Sequence, residues 1–187
     1  KRDDSDGVFL AHTPVLDDLL AEPLFVSLRA HGKAVGLPSD EDMGNSEVGH
    51  NALGAGRVFA QGAQLVNDAV ASGSIFTGAA WQEAVSRGKA GSAVHFIGLL
   101  SDGNVHSHIE HLFALLDRCA GEGVGRVRVH PLLDGRDVGE RSALTYLDAL
   151  EGRLAQLNGV AGRDYRIGSG GGRMVTTMDR YGANWGV

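Results

Sequence analysis

A single cysteine, Cys119, stands among 187 residues. No disulfide can form within the chain, and the apolar helical pattern around this residue makes it a core thiol. No apolar run approaches the roughly 18 residues of a membrane span, and Lys1-Arg2-Asp3-Asp4 leads into no signal-peptide apolar stretch. The expectation is a cytoplasmic protein without a membrane partner. Basic runs are also missing: 17 Lys and Arg against 23 Asp and Glu give a formal charge of −6. With no aromatic-interleaved basic patch, a nucleic-acid surface is disfavoured. An anionic ligand must then be held by local arginines, because charges beyond about 8 Å are screened at physiological salt. Internal repeats and low-complexity segments are absent too.

Glycine is what the chain has in excess: 28 residues, about twice the usual share. Such use points to tight turns and close backbone approaches. Apolar content of 43% and charged content of 21% belong to a soluble globular protein, either one domain burying about 70% of its unfolded surface or pieces of two.

Residues 1–7 are acidic and small, and read as a solvated loop. Thr13 followed by Pro14 predicts a helix start with Thr13 as N-cap, and Leu16, Leu19 and Leu20 give that helix one apolar face. Phe25 to Ala30 predicts a strand. Leu65, Val66, Ala69 and Val70 have helical spacing, and Trp81 to Val85 suggest another helix after Thr77. The pattern then becomes regular, with strands at 93–100 and 127–133, helices at 109–119 and 142–157, and a third strand starting at 165–167. Two βαβ units in series imply a parallel sheet with right-handed crossovers and helices on its faces. The change of pattern near Arg57 to Gln61 is the candidate domain boundary.

Two regions carry candidate chemistry. Ser46 lies in Asp42-Met43-Gly44-Asn45-Ser46-Glu47-Val48-Gly49-His50, ahead of a run, 47–53, that opens a helix. As an N-cap it has only a structural role. As a nucleophile it would carry a phosphate facing unpaired N–H groups and the positive end of the helix dipole. A serine-hydrolase elbow is disfavoured, because Val48 stands where G-x-S-x-G needs glycine.

The second region is a set of three polar, glycine-rich loops: Ser101-Asp102-Gly103-Asn104-Val105-His106-Ser107-His108, Asp134-Gly135-Arg136-Asp137 and Gly168-Ser169-Gly170-Gly171-Gly172-Arg173. Loops that follow parallel strands gather at the carboxyl edge of the sheet, where ligands bind. This brings His106, Arg136, Asp137 and Arg173 within reach of one small molecule, with Arg180 close behind. Arginine forks suit carboxylate and phosphate oxygens, so a phosphorylated acid is the ligand class. Arg136 is equally readable as a turn-stabilising partner of Asp134 or Asp137. His106, His108 and His111 lack the surrounding ligands of a metal site, and a solvated helix start is the better reading for the last two. Dinucleotide and P-loop templates fail, since Arg173 occupies the last glycine position of G-x-G-x-x-G.

Taken together, the segment around Ser46, the T-P-V-L-D-D-L helix from Thr13, S-D-G-N-V-H-S-H from Ser101, L-D-G-R-D-V from Leu133 and G-S-G-G-G-R-M-V-T-T-M-D-R-Y from Gly168 resemble the cofactor-independent phosphoglycerate mutases. These are metal enzymes of the alkaline phosphatase superfamily. The motifs occur in the family's order and span nearly the whole chain, and the spacing from Arg173 to Arg180 is similar to the plant and trypanosomatid branch. The resemblance implies an α/β, three-layer α/β/α parallel-sheet architecture: residues 1–58 as part of an alkaline-phosphatase-like domain and residues 59–187 as part of an inserted transferase domain. It further implies interconversion of 3-phosphoglycerate and 2-phosphoglycerate by a cytoplasmic monomer with two divalent ions, manganese with magnesium or cobalt as alternatives. Ser46 would be the phosphorylated nucleophile and a metal ligand. His106, Arg136, Asp137, Arg173 and Arg180 would contact substrate, with Asp137 also moving protons at the glycerate hydroxyls. Asn104 departs from the family, which usually has glycine there. The D-G-[WL]-G motif of the family's metal-binding aspartate is absent, and its other metal ligands would lie beyond Val187. The expectation is a chain cut at both ends and inactive by itself.

Overall fold

The computed structural model describes residues 4–176, which fall into two compact units divided between Ala30 and His31. In the first, α1 (Gly7–Leu10) is capped by Asp6, whose Oδ1 accepts from the N–H groups of Val8 and Phe9 at 3.1 and 3.0 Å. Helix α2 (Pro14–Leu20) starts where the sequence predicts, with Pro14 in its first turn. Thr13 occupies the cap position, but its hydroxyl makes no capping bond. Residues 25–30 correct an expectation: they form no strand. A strand needs a partner for its backbone groups, and among the described residues no strand pairs with this segment.

The second unit begins with a 3-10 turn (Gly32–Val35), then α3 (Ser46–Ala55) and α4 (Gly62–Ala71). Val35, Leu37 and Val48 form a small core there. Buried Gln61 closes the segment, donating Nε2–H to the Val35 carbonyl at 3.0 Å while its backbone N–H donates to that of Gly36 at 2.9 Å. The division after Ala30 differs in place from the boundary expected near residues 57–61.

After α5 (Ala79–Lys89) the chain alternates: β1 (Val94–Leu100), α6 (Ile109–Gly121), β2 (Arg126–Leu133), α7 (Ala143–Asn158), β3 (Asp164–Ile167), β4 (Gly171–Gly172) and α8 (Arg173–Thr176). Strands β1, β2 and β3 pair in parallel in that order, and β4 continues alongside β2 beyond β3. The fold is therefore α/β with a parallel sheet, and both expected βαβ units are present. Val94, Val127 and Tyr165 are register partners on one face. That face joins one core with Val85 of α5, Leu116 and Cys119 of α6, and Leu150 and Leu154 of α7. Two right-handed crossovers that step the same way put α6 and α7 on the same side. Burying Leu116 and Leu150 completely contributes about 1.5–3 kcal/mol each. Cys119 is fully buried as expected, and burial, with Glu122 nearby, pushes its thiol pKa up to about 12.

The alternate positions, His95, Arg128 and His130, lie on the other face. Arg128 pairs with Asp164 at 2.6 Å, and His95 Nδ1 and His130 Nε2 stand 2.9 Å apart. None of the helices among the described residues is long and apolar enough to cross a membrane.

Candidate active site

Strand register decides which residues meet. Leu100 pairs with Leu133, and Leu133 pairs with Gly172. Ser101, Asp134 and Arg173 are the next residues on their three strands, so they emerge side by side at the carboxyl edge. They are bonded to one another. Ser101 Oγ donates to Asp134 Oδ2 at 2.6 Å, and Arg173 Nη1 donates to Asp134 Oδ1 at 2.8 Å and to Asp137 Oδ2 at 2.6 Å. Asp134 Oδ1 also accepts the backbone N–H groups of Arg136 and Asp137, each at 3.1 Å. An aspartate that bonds the amides two and three residues on is a turn-forming aspartate. Here it sets the conformation of the loop that carries Arg136 and Asp137. Gly135, at φ +74°, supplies the left-handed step inside that turn.

The Asp134 side chain is 1% exposed and that of Arg173 6%. Burial opposes ionisation of Asp134, but the Ser101 hydroxyl, the Arg173 guanidinium and the two amides outweigh it and hold the carboxyl below the usual range. Burial likewise opposes the charge on Arg173, and the two carboxylates overcome that and raise its pKa. Arg173 is thus permanently charged and fixed. Asp137 is less buried, and the exposed His106 places Nε2 3.9 Å from its Oδ2. Gly103 makes that approach of loops possible, because a Cβ there would stand 2.9 Å from the Asp137 Cβ. Tyr146 Oη donates to Asp102 at 2.5 Å, tying the first loop to α7.

Four of the expected residues, His106, Arg136, Asp137 and Arg173, therefore gather on these loops. Arg180 lies outside the described residues. The guanidinium of Arg173 faces two carboxylates, so the formal charge of Asp134, Asp137 and Arg173 together is negative. An anion at this edge would also meet Arg136 and His106, which are both exposed. The sequence reading missed Asp134 and Ser101 as members. An aspartate opening D-G-R-D straight after a strand was the available signal for Asp134.

Ser46 is exposed at the first residue of α3, and the helix corrects the capping assignment: Asn45 is the N-cap, its Oδ1 accepting from Val48 N–H at 3.0 Å. Ser46 Oγ is therefore not consumed as a cap. His50 Nδ1 is 3.2 Å from Ser46 Oγ and 2.6 Å from the Ser46 carbonyl oxygen. The closer partner can only accept, so Nδ1 carries the proton and does not take one from Ser46 in this arrangement.

His108 caps α6 through Nδ1, which accepts from Glu110 N–H at 3.2 Å, and His111 bonds Asn67 Oδ1 at 2.5 Å. Burial, then His108, lowers the pKa of His111. Neither is placed as a ligand. Among the described residues no group of three or more His, Cys, Asp or Glu side chains is arranged to hold a metal ion. The residues around Ser46 do not by themselves fit the expected metal pair.

Comparison with known proteins identifies the chain's relatives. A family model described as the BPG-independent PGAM N-terminus matches residues 66–187. A probable 2,3-bisphosphoglycerate-independent phosphoglycerate mutase of Leptospira interrogans is 54% identical over 178 residues, covering 95% of this chain and 32% of that protein. The Trypanosoma brucei brucei protein named 2,3-bisphosphoglycerate-independent phosphoglycerate mutase is 52% identical over 100% of this chain and 34% of its own length. Leishmania mexicana phosphoglycerate mutase, solved at low cobalt concentration, matches with a TM-score of 0.86 and 50% identity over 98% of this chain and 34% of that one. The chain thus spans about a third of the length of the curated relatives it matches.

Proposed function

Because the chain belongs to the 2,3-bisphosphoglycerate-independent phosphoglycerate mutase family, we propose that in a protein of the relatives' length it supplies the nucleophile and one wall of the glycerate site for interconverting 3-phosphoglycerate and 2-phosphoglycerate. The reaction belongs to glycolysis and gluconeogenesis, and the intact protein acts as a cytoplasmic monomer on a small molecule, without nucleic-acid or membrane partners. Residues 1–58 form part of its phosphatase-like domain and residues 59–187 part of its transferase domain. The observation that carries the reading is the fixed row Ser101, Asp134 and Arg173 with Asp137, Arg136 and His106 on the same loops.

Ser46 Oγ gives up its proton and attacks the phosphorus of 3-phosphoglycerate. The bond from phosphorus to the glycerate oxygen breaks, and that oxygen takes a proton. The phosphate then sits at the start of α3, a ten-residue helix, whose free N–H groups and dipole favour the negative charge. The 2-hydroxyl next attacks the phosphoserine and loses its proton, the bond from phosphorus to Ser46 Oγ breaks, and Oγ takes a proton back, with Asp137 exchanging protons at the glycerate hydroxyls. Arg136, His106, Arg173 and Arg180 hold glycerate while it reorients. Retention is essential, because escape of glycerate would leave only phosphatase chemistry.

The proposed divalent pair, manganese or in its place magnesium or cobalt, lowers the serine pKa and neutralises phosphoryl charge when bound. The described residues do not by themselves fit that pair. Phosphopeptide mapping during turnover of the full-length protein tests the reading. Label is expected on Ser46, and Ser46→Ala should abolish turnover while leaving 3-phosphoglycerate binding largely intact. Label on a histidine would overturn the assignment.

A further inference from the structure

Asn104 is the one non-glycine residue with positive φ, 55°, among the described residues. Asparagine tolerates this left-handed conformation better than other side-chain-bearing residues, but glycine adopts it without cost. The backbone therefore does not explain the side chain. Its contact does: Asn104 Nδ2 donates to Asp42 Oδ1 at 2.9 Å, across 62 residues of sequence.

Asp42 is itself held in place. Its Oδ2 accepts the Ser39 N–H at 2.7 Å, and its carbonyl accepts the Gly32 N–H at 3.1 Å. Burial opposes ionisation of Asp42, yet the bonds from Asn104 and Ser39 hold its carboxyl below the usual range. Asp42 stands four residues before Ser46, and Asn104 two residues before His106.

We propose that Asn104 is a positioning residue, which tethers the nucleophile segment to the substrate loop through Asp42 and so sets where Ser46 stands relative to bound glycerate. This rests on the mutase reading above. Without the tether, the loop keeps its shape and still contacts substrate, but Ser46 is held less tightly during the two phosphoryl transfers. The cost falls on kcat and on retention of glycerate, rather than on ground-state binding.

The test uses the full-length protein, with mutase product isomers and free phosphate measured side by side. Asn104→Gly preserves the backbone and removes only the tether. It should lower mutase kcat about tenfold, the loss of one hydrogen bond to a charged group, with KM for 3-phosphoglycerate within about twofold. It should also raise the share of turnovers that end in free phosphate. Asn104→Asp sets two carboxylates against each other and should be worse. Combining Asn104→Asp with Asp42→Asn exchanges donor and acceptor while leaving an oxygen for the Ser39 N–H, and should restore rate and partition. A simple packing role would not be rescued by that exchange. Wild-type rate and partition in Asn104→Gly, or no rescue in the exchanged pair, overturns the tether.

Amide exchange of residues 39–46 in the same variants reads the tether without catalysis. Protection should fall about tenfold in Asn104→Gly and return in the exchanged pair, and unchanged protection overturns the proposal. If the wild-type protein shows no mutase turnover, the functional reading fails and amide exchange decides the tether separately.

Discussion

Replacing Asp134 probes the centre of the site directly. Asp134→Ala removes the acceptor of the Ser101 hydroxyl, the Arg173 guanidinium and two backbone amides. Breaking a buried ion pair by deleting one partner costs about 3–5 kcal/mol, because the other charge stays buried. Arg173 keeps Asp137 as a partner at 2.6 Å, which places the expected loss nearer about 3 kcal/mol. Asp134→Asn keeps an oxygen for the amides and Arg173, and a rotated Ser101 hydroxyl can accept from its new amide. It loses only charge, and should cost about 1–2 kcal/mol. Urea denaturation followed by tryptophan fluorescence measures both, since Trp81 packs against the main core. The pH dependence has a definite sign. The folded pKa of Asp134 is depressed, so its contribution is complete above the unfolded value of about 3.9 and disappears as pH falls from there through the folded pKa. The difference between wild type and Asp134→Ala should narrow over that window. An alanine variant within about 0.5 kcal/mol of wild type at pH 7, well under any mechanism invoked here, would refute the claim that Asp134 organises the edge.

Arg173→Lys in the full-length protein keeps the charge and loses the planar fork, so affinity for 3-phosphoglycerate should fall by about 1–3 kcal/mol; an unaltered KM would count against Arg173 as a substrate contact. Cys119, fully buried with its pKa near 12, should resist an alkylating reagent at pH 8 until denaturant is added, and prompt labelling of native protein would contradict the core placement. The 187-residue chain alone should not form 2-phosphoglycerate from 3-phosphoglycerate even with manganese, because the described residues assemble no metal group and a catalytic metal needs several protein ligands. Turnover proportional to its concentration, in material free of host mutase, would show that account to be wrong.

The strands and helices of residues 93–167 were legible because their apolar periods are clean and glycine-rich turns bound them. The strand expected at 93–100 is observed at Val94–Leu100, and the helix expected at 142–157 at Ala143–Asn158. Strand β4 was not legible: Gly171 and Gly172 have no side chains to show a period, and only pairing with Leu132 and Leu133 makes them a strand. Phe25 to Ala30 failed for the opposite reason, since a strand-like pattern forms no strand without a partner. The cap of α3 moved by one residue because Asn45 and Ser46 are both good caps, and the asparagine oxygen reaches Val48 N–H. Long-range polar bonds leave no periodic trace. Nothing near Asn104 in sequence announces Asp42, 62 residues away.

Register links what was legible to what was not. Once β1, β2 and β4 are placed so that Leu100, Leu133 and Gly172 align, the residues after them meet without further specification. A slip of one residue in β2 would put Gly135 where Asp134 stands and turn the Val127 and Val129 side chains to the opposite face. The core face would lose its apolar partners, and Arg173, whose side chain is 6% exposed, would lose its most buried carboxylate. Each loss penalises the slipped sheet separately, one through apolar burial and the other through an uncompensated buried charge. The buried pair therefore has a structural role that would persist without catalysis, as a check on register. For that reason Asp134 and Arg173 must be separated experimentally from the loop residues Arg136, Asp137 and His106: a loss of activity at the first two can come from the sheet, whereas a loss at the exposed Arg136 or His106 reports on the ligand.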